Sequence, residues 1–197
     1  MVSMSGDRVD LVAASVRRQS EPAAEDAMLV EAARDGDRAA FGRLYDRYVR
    51  MVHGILLARV PVREVDDLVQ DVFVTALRRL STLRDTRSFG AWLAAIARNL
   101  ASDHYRRSTP EDQLTDDASD TENRAEDQNE AAAILEAVRS LPDAYRETLI
   151  LRLVEGMTGP EIAARTGLTH GSVRVNLHRG MQLLRAKLSP HAETELP

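Results

Sequence analysis

The stretch that most constrains this chain is Thr158–Leu188, TGPEIAARTGLTHGSVRVNLHRGMQLLRAKL. Thr158 and Glu161 stand at capping-box spacing, and Pro160 falls in the first turn, where a missing N–H costs little. A helix is expected to start there, with Ile162 and Ala163 inward and the small Ala163 allowing a second helix to cross closely. Gly167 can take the left-handed conformation that ends it. Thr169 can cap a second helix that runs to about Lys187, with Val173, Leu177, Met181, Leu184 and Leu188 recurring as its buried stripe. Ser172, Val175, His178, Arg179 and Gln182 lie opposite, with Arg174 on the flank. Two helices, a short Gly-containing turn and a polar, basic outer face predict a helix-turn-helix with a recognition helix. An ordinary helical hairpin with a solvated basic face is the competing reading. The caps and the spacing taken together favour DNA binding.

Net charge taken alone opposes that reading. The 197 residues sum to −5 at neutral pH. Distribution reverses the inference. Residues 36–107 carry 13 basic and 8 acidic side chains, residues 108–138 carry 1 and 10, and residues 139–189 carry 8 and 4. Two basic modules flank an acidic connector, and local charge governs contact with phosphate. The connector, tethered near both modules, is expected to compete with phosphate for their basic faces through many weak, salt-sensitive contacts. A plain solvated spacer is the alternative.

Composition excludes several classes. There is no cysteine, so disulfides and thiolate metal sites are ruled out, which suits a reducing cytoplasm. No apolar run approaches the ~20 residues of a membrane span. The N-terminus has no apolar core after its charges, so export is not expected. His170 and His178 are eight apart rather than four, and no carboxylate pair joins them at metal-ligand spacing. No Gly-rich phosphate cradle is present. His53 and His104 read as structural or surface residues. No cofactor and no enzymatic activity are expected.

The chain reads as all-α, with two small helical domains joined by a flexible acidic linker. Residues 1–24 are polar and lack a sustained period, so they are expected to be disordered. The first domain covers 25–107. Asp26 is expected to open a short helix through Met28, Leu29, Ala32 and Ala33, ended by Gly36. Asp37 caps a longer one with Phe41, Leu44, Tyr45, Tyr48, Val52, Ile55 and Leu56 inward, stopped by Pro61. A third helix over about 63–80 buries Val65, Leu68, Val69, Val72, Phe73, Ala76 and Leu77 and shows Asp66, Asp67, Gln70 and Asp71. Residues 81–89 form a polar loop. A fourth helix spans about 90–107, with Phe89, Leu93, Ile96, Ala97 and Leu100 inward. Residues 108–130 lack a hydrophobic period and read as the linker. The second domain covers 131–188. It opens with a helix bearing Ile134, Leu135 and Val138, followed by one that Asp143 caps, carrying Leu149, Ile150, Leu153 and Val154 and closed by Gly156. Residues 189–197 form a polar tail.

Taken in order, these segments resemble the extracytoplasmic-function (ECF) sigma factors, the minimal bacterial type with only regions 2 and 4. The N-terminal resemblance rests on AFGRLYDRYV, DDLVQDVFVTAL and SFGAWLAAIARNLASDHYRR. The C-terminal one rests on LPDAYRETLILRLVEGMTGPEIAARTGLTHGSVRVNLHRGMQLLR. Together they cover about residues 26–188.

The resemblance implies a role for each surface. Asp66, Asp67, Gln70 and Asp71 match the face that docks on the clamp coiled coil of the polymerase largest subunit, and the second domain would meet the flap of the second-largest subunit. The loop 81–89 and Asn99 match the site for the −10 element, where a base leaves the stack and is held in a pocket. An amide can both donate to and accept from a base edge. Arg84, Arg87, Arg98, Arg106 and Arg107 would hold strand phosphates. Phe89 and Trp92 are expected in the core rather than under a base. Ser172, Arg174, Val175, His178 and Arg179 match positions that read the −35 element in the major groove. Arg179 suits a guanine, bonded bidentately. Val175-Asn176 departs from the small polar and basic residues frequent there; a valine can meet a thymine methyl but cannot hydrogen-bond a base edge. Implied partners are core RNA polymerase, promoter DNA and an anti-sigma factor. A freestanding helix-turn-helix repressor or activator, or a polymerase-binding adaptor, would share parts of this pattern.

Overall fold

The structure, a computed structural model, describes residues 23–107 and 125–189. The expected N-terminal extension (apart from 23 and 24), the connector up to residue 124 and the tail beyond Ser189 lie outside the described residues. Eight α-helices and no strand occur among the described residues. They are α1 (23–34), α2 (Arg38–Leu57), α3 (Val62–Arg79), α4 (Phe89–Arg107), α5 (Ala125–Arg139), α6 (Asp143–Leu153), α7 (Gly159–Thr166) and α8 (His170–Leu188).

The N-terminal half is a four-helix unit, α1–α4. Asp37 caps α2 by accepting from the amides of Ala39 and Ala40 at 2.8 and 3.1 Å. Leu44, Met51, Val52, Ile55 and Leu56 of α2 meet Val65, Val72 and Ala76 of α3 and Leu93 and Ala97 of α4 in the core. Asp26 does not open α1 but sits within it, buried. Its carboxylate accepts from Arg47 at 2.6 Å and from the Tyr48 hydroxyl, so it pins α1 to α2. Burial pushes the Tyr48 phenol up, and the neighbouring Asp26 adds to the rise.

The C-terminal half is α5–α8. α6 packs on α8, and α7 and α8 form the hairpin. α5 begins at Ala125, inside the stretch expected to be linker. The reason is propensity: AEDQNEAAA consists largely of good helix formers. Asp143 is the first residue of α6 and Pro142 occupies the cap position without a side-chain bond.

Several apolar residues expected inside are instead on the surface: Tyr45, Leu77, Ile134, Leu153, Val154 and Leu188. They sit at the margins of their stripes, where the helical period drifts off the core. The loop 81–89 is more ordered than expected. It contains two 3-10 turns, Leu80–Thr82 and Thr86–Ser88, buries Leu83, and yields Phe89 to α4.

The halves are not held apart. α2 packs against α6 and α7, and α4 packs against α7, so one apolar core runs through both.

Candidate nucleic-acid interface

The hairpin is built by local chemistry. The Thr158 hydroxyl accepts from the Glu161 amide, and the Glu161 carboxylate accepts from the Thr158 amide at 2.8 Å, completing the capping box. These bonds from Thr158 hold the Glu161 carboxyl below its ordinary value. Gly167 ends α7 at φ +77°, a conformation that disfavours a side chain. Thr169 caps α8 by accepting from the Ser172 amide at 3.1 Å. Ile162, Ala163, Val173 and Leu184 are buried, Leu177 and Met181 half-buried.

Gly180 fixes how closely α8 lies on α6. A Cβ there would stand 3.0 Å from Leu149 Cδ1 and 3.2 Å from Tyr145 Cβ. That contact turns the opposite face of α8 outward. Ser172, Arg174, Val175, His178 and Arg179 are all exposed along it. Asn176 departs from this face: its amide donates to the Thr148 hydroxyl at 3.4 Å and so helps seat α8 on α6.

The second surface lies on α4 and the loop before it. Asp85 organises the loop by accepting from the Arg87 amide at 3.1 Å and from the Ser88 hydroxyl at 2.8 Å, which holds its carboxyl below its ordinary range. Arg84 and Arg87 project from that turn and are exposed, as is Asn99 one face along on α4. Phe89 is fully buried against Tyr48, with ring centroids 5.3 Å apart, and Trp92 packs on Phe89 at 5.9 Å. Phe89 therefore belongs to the core and Trp92 packs against it. Arg106 pairs with Asp103 within α4, and Arg107 donates to the Asp103 carbonyl.

Arg98 behaves differently from the other members of this set. Its Nε and Nη2 donate to the two carboxylate oxygens of Glu147 on α6, at 3.0 and 2.7 Å. Arg59 adds a third contact to Glu147 at 2.7 Å. Burial alone would raise the Glu147 carboxyl, but the two guanidiniums outweigh it and hold it below the ordinary value. Arg98 is thus not brought to the same open surface as Asn99, Arg84 and Arg87. Neither its partner nor the Asn176–Thr148 contact was foreseen in the sequence.

The third surface is the outer face of α3, where Asp66, Asp67, Gln70 and Asp71 are all exposed. Val74 and Leu77 continue that face as exposed apolar residues, with Tyr45 of α2 beside Phe73 at 4.5 Å between ring centroids.

The family described as Sigma-70 region 2 matches residues 44–110, and Sigma-70, region 4 matches residues 131–184. The ECF RNA polymerase sigma factor BldN of Streptomyces coelicolor is 37% identical over 172 residues; the match takes in 82% of this chain but 65% of BldN. The ECF RNA polymerase sigma-E factor of Haemophilus influenzae is 30% identical over 181 residues, covering 84% of this chain and 96% of that protein. Among solved structures, CnrH in complex with the cytosolic domain of CnrY is 30% identical with a TM-score of 0.59, covering 83% of this chain and 97% of that one. By these likenesses the chain belongs to the family of ECF RNA polymerase sigma factors.

Proposed function

We propose that the three exposed surfaces divide the work of a sigma factor. The chain binds core RNA polymerase, recognises the −10 and −35 promoter elements and promotes transcription initiation. Nucleotidyl transfer belongs to the polymerase, so the chain needs no catalytic residue of its own and acts in the cytoplasm. No helix among the described residues is long and apolar enough to cross a membrane.

Ser172, Arg174, Val175, His178 and Arg179 enter the major groove at the −35 element. The observation that carries this assignment is the outward turn of that whole face while Gly180 and Asn176 bind α8 to its support. Val175 meets a thymine methyl, and Arg179 supplies a guanidinium for guanine or phosphate. Asn99 and the 84–87 turn hold the unpaired −10 strand, with Arg106 and Arg107 on its phosphates. Asp66, Asp67, Gln70 and Asp71 dock on the polymerase clamp, and the C-terminal half meets the flap. CnrH was solved bound to the cytosolic domain of CnrY; an anti-sigma partner of that kind regulates this chain too.

Run-off transcription with purified core enzyme tests the reading. Transcripts should start at a defined promoter only when the chain is added. Tight operator binding by the chain alone, without stimulation of core enzyme, would instead mark a freestanding repressor.

A further inference from the structure

We propose that the ring of Tyr105 stacks on the last paired base at the upstream edge of the opened −10 strand, and so holds the fork between duplex and single strand. The inference rests on the sigma-factor reading and adds a contact that Asn99 and the 84–87 turn do not supply. Three observations carry it.

The first is exposure. α4 holds one each of Phe, Trp and Tyr, and only the last stands out into solvent. Phe89 is fully buried and Trp92 is half-buried on it, whereas Tyr105 in the last turn is 63% exposed. A helical side chain leans back over the turn before its own Cα. For Tyr105 that turn presents Ala101 and Ser102, which are too small to cover the face of a ring. A flat apolar face left in water contributes nothing to the core, and a nucleobase is a partner of the same shape.

The second is charge, which selects the class of partner. Arg106 and Arg107 follow Tyr105 and are both exposed. Arg106 pairs with Asp103, and Arg107 donates to the Asp103 carbonyl at 3.2 Å. An exposed pair of this kind is held weakly, so a phosphate can displace it. Two cations beside an uncovered ring form the combination that binds single strands, with charge on the backbone and the ring on a base.

The third is position. Tyr105 lies six residues beyond Asn99, a rise of about 9 Å along α4. Ser102 stands between them on the helix surface. One strand of a duplex advances roughly 3.4 Å per nucleotide, so the ring falls about two or three nucleotides from the base held at Asn99. The ends of this track differ in chemistry. The 84–87 turn, before α4, offers guanidiniums and backbone groups to an open strand. The ring at the far end offers a plate on which a base stack can end. Opening costs the stacking of the terminal pair, and the ring restores part of it.

The test uses the full chain with core polymerase on promoters carrying 2-aminopurine at one position at a time across the upstream edge of the opened region. The position whose signal responds to Asn99→Ala locates the base held there. A probe about two or three nucleotides upstream of it should be quenched in the wild-type complex and should brighten in Tyr105→Ala. Tyr105→Ala should slow opening about tenfold on duplex promoter and much less on a template already mismatched across the opened region. Tyr105→Phe should recover both quenching and rate, because stacking uses the ring and not the hydroxyl. Quenching unmoved by Tyr105→Ala would overturn the inference. So would equal defects in the Ala and Phe variants, which would assign the hydroxyl a hydrogen bond instead. A defect that persists on the mismatched template and accompanies weaker association with core enzyme would make Tyr105 a protein contact. Failure of the wild type to direct run-off transcription would reject the sigma reading and this contact with it; normal transcription by the wild type with no change in Tyr105→Ala would reject the contact alone.

Discussion

Glu147 of α6 takes Arg98 of α4 in a two-pronged bond, Nε to Oε2 at 3.0 Å and Nη2 to Oε1 at 2.7 Å. The hydrogen bonds to Glu147 hold the Arg98 guanidinium still more firmly charged. A phosphate would claim the same fork of donors, since guanidinium geometry suits either anion. The proposed phosphate contact of Arg98 and its bond to Glu147 therefore exclude each other. Removing it should cost stability in the free chain, because Glu147 then keeps only Arg59. Arg98→Met should lower unfolding free energy by about 1–3 kcal/mol in urea titration, whereas Arg98→Met in a Glu147→Gln background should cost much less. Equal losses in both backgrounds would show that the pair is not coupled.

Packing of the C-terminal half on α2 should depend on pH. The hydrogen bond from His53 to Glu155 raises the His53 pKa above 6.5, with Asp66 adding to the rise and burial opposing it. Arg50 faces the same carboxylate. A raised histidine contributes fully below its free value and loses that contribution as pH climbs through the raised value. Glu147 acts in the opposite sense: its lowered pKa gives a contribution present above 4.5 and lost as pH falls through the lowered value. These contacts should thus stabilise the chain most between about 4.5 and 6.5, with the contribution of His53 declining above that window. Thermal unfolding measured from pH 5.5 to 8.5 reports the upper limb. His53→Gln should flatten it; an unchanged slope in that variant would assign the titration elsewhere.

The hairpin and the seam between the two halves differ in how legible they are from sequence, and the difference is physical. Thr158, Glu161, Gly167 and Thr169 act on neighbours within one turn, so their spacing predicts the caps observed. Asn99 and the exposed face of α8 follow from the helical period in the same way. The seam joins residues such as His53 and Glu155, 102 positions apart, and no local pattern pairs them. It does leave a trace in the form of violated patterns. Gly54 interrupts a helix interior, Glu147 precedes a run of buried apolar residues, and Leu153 and Val154 face solvent while Glu155 is buried. Each departure from the stripe marks a surface whose partner lies far along the chain.

Gly180 should be intolerant of enlargement. Leu149 and Tyr145 already leave a Cβ only 3.0–3.2 Å of room. Gly180→Ala should destabilise by about 1–3 kcal/mol through overpacking, despite alanine's better helix propensity. It should also weaken −35 binding by tilting α8. Thermal unfolding and duplex binding check the two effects together; a more stable variant would mean that α6 yields freely.

The two DNA surfaces should separate by function. Asn99→Ala should impair promoter opening more than duplex binding, because the proposed partner is an unpaired base. Arg179→Ala should do the reverse, weakening upstream recognition by about 1–3 kcal/mol if its contact to a base is bidentate. Permanganate reactivity of thymines near the start site reports opening. Equal reactivity for wild type and Asn99→Ala on saturated promoter would remove the base-pocket role.

The proposed polymerase dock combines charge with apolar surface. Asp66, Asp67, Gln70 and Asp71 share the outside of α3 with Val74 and Leu77, the latter 51% exposed. Leucine at that exposure contributes little to the core, which frees it to be covered by a partner. Asp67→Lys with Asp71→Lys should reduce association with core enzyme chiefly by slowing encounter, and the loss should shrink in high salt. Leu77→Ala should act on residence time instead, with little salt dependence. Neither change touches the buried stripe of Val65, Leu68, Val69, Val72 and Phe73, so helicity by circular dichroism should stay constant. Association and dissociation rates measured by surface-coupled core enzyme at two salt concentrations separate the two effects. Rates unmoved by all three substitutions, with the fold intact, would place the dock on another face.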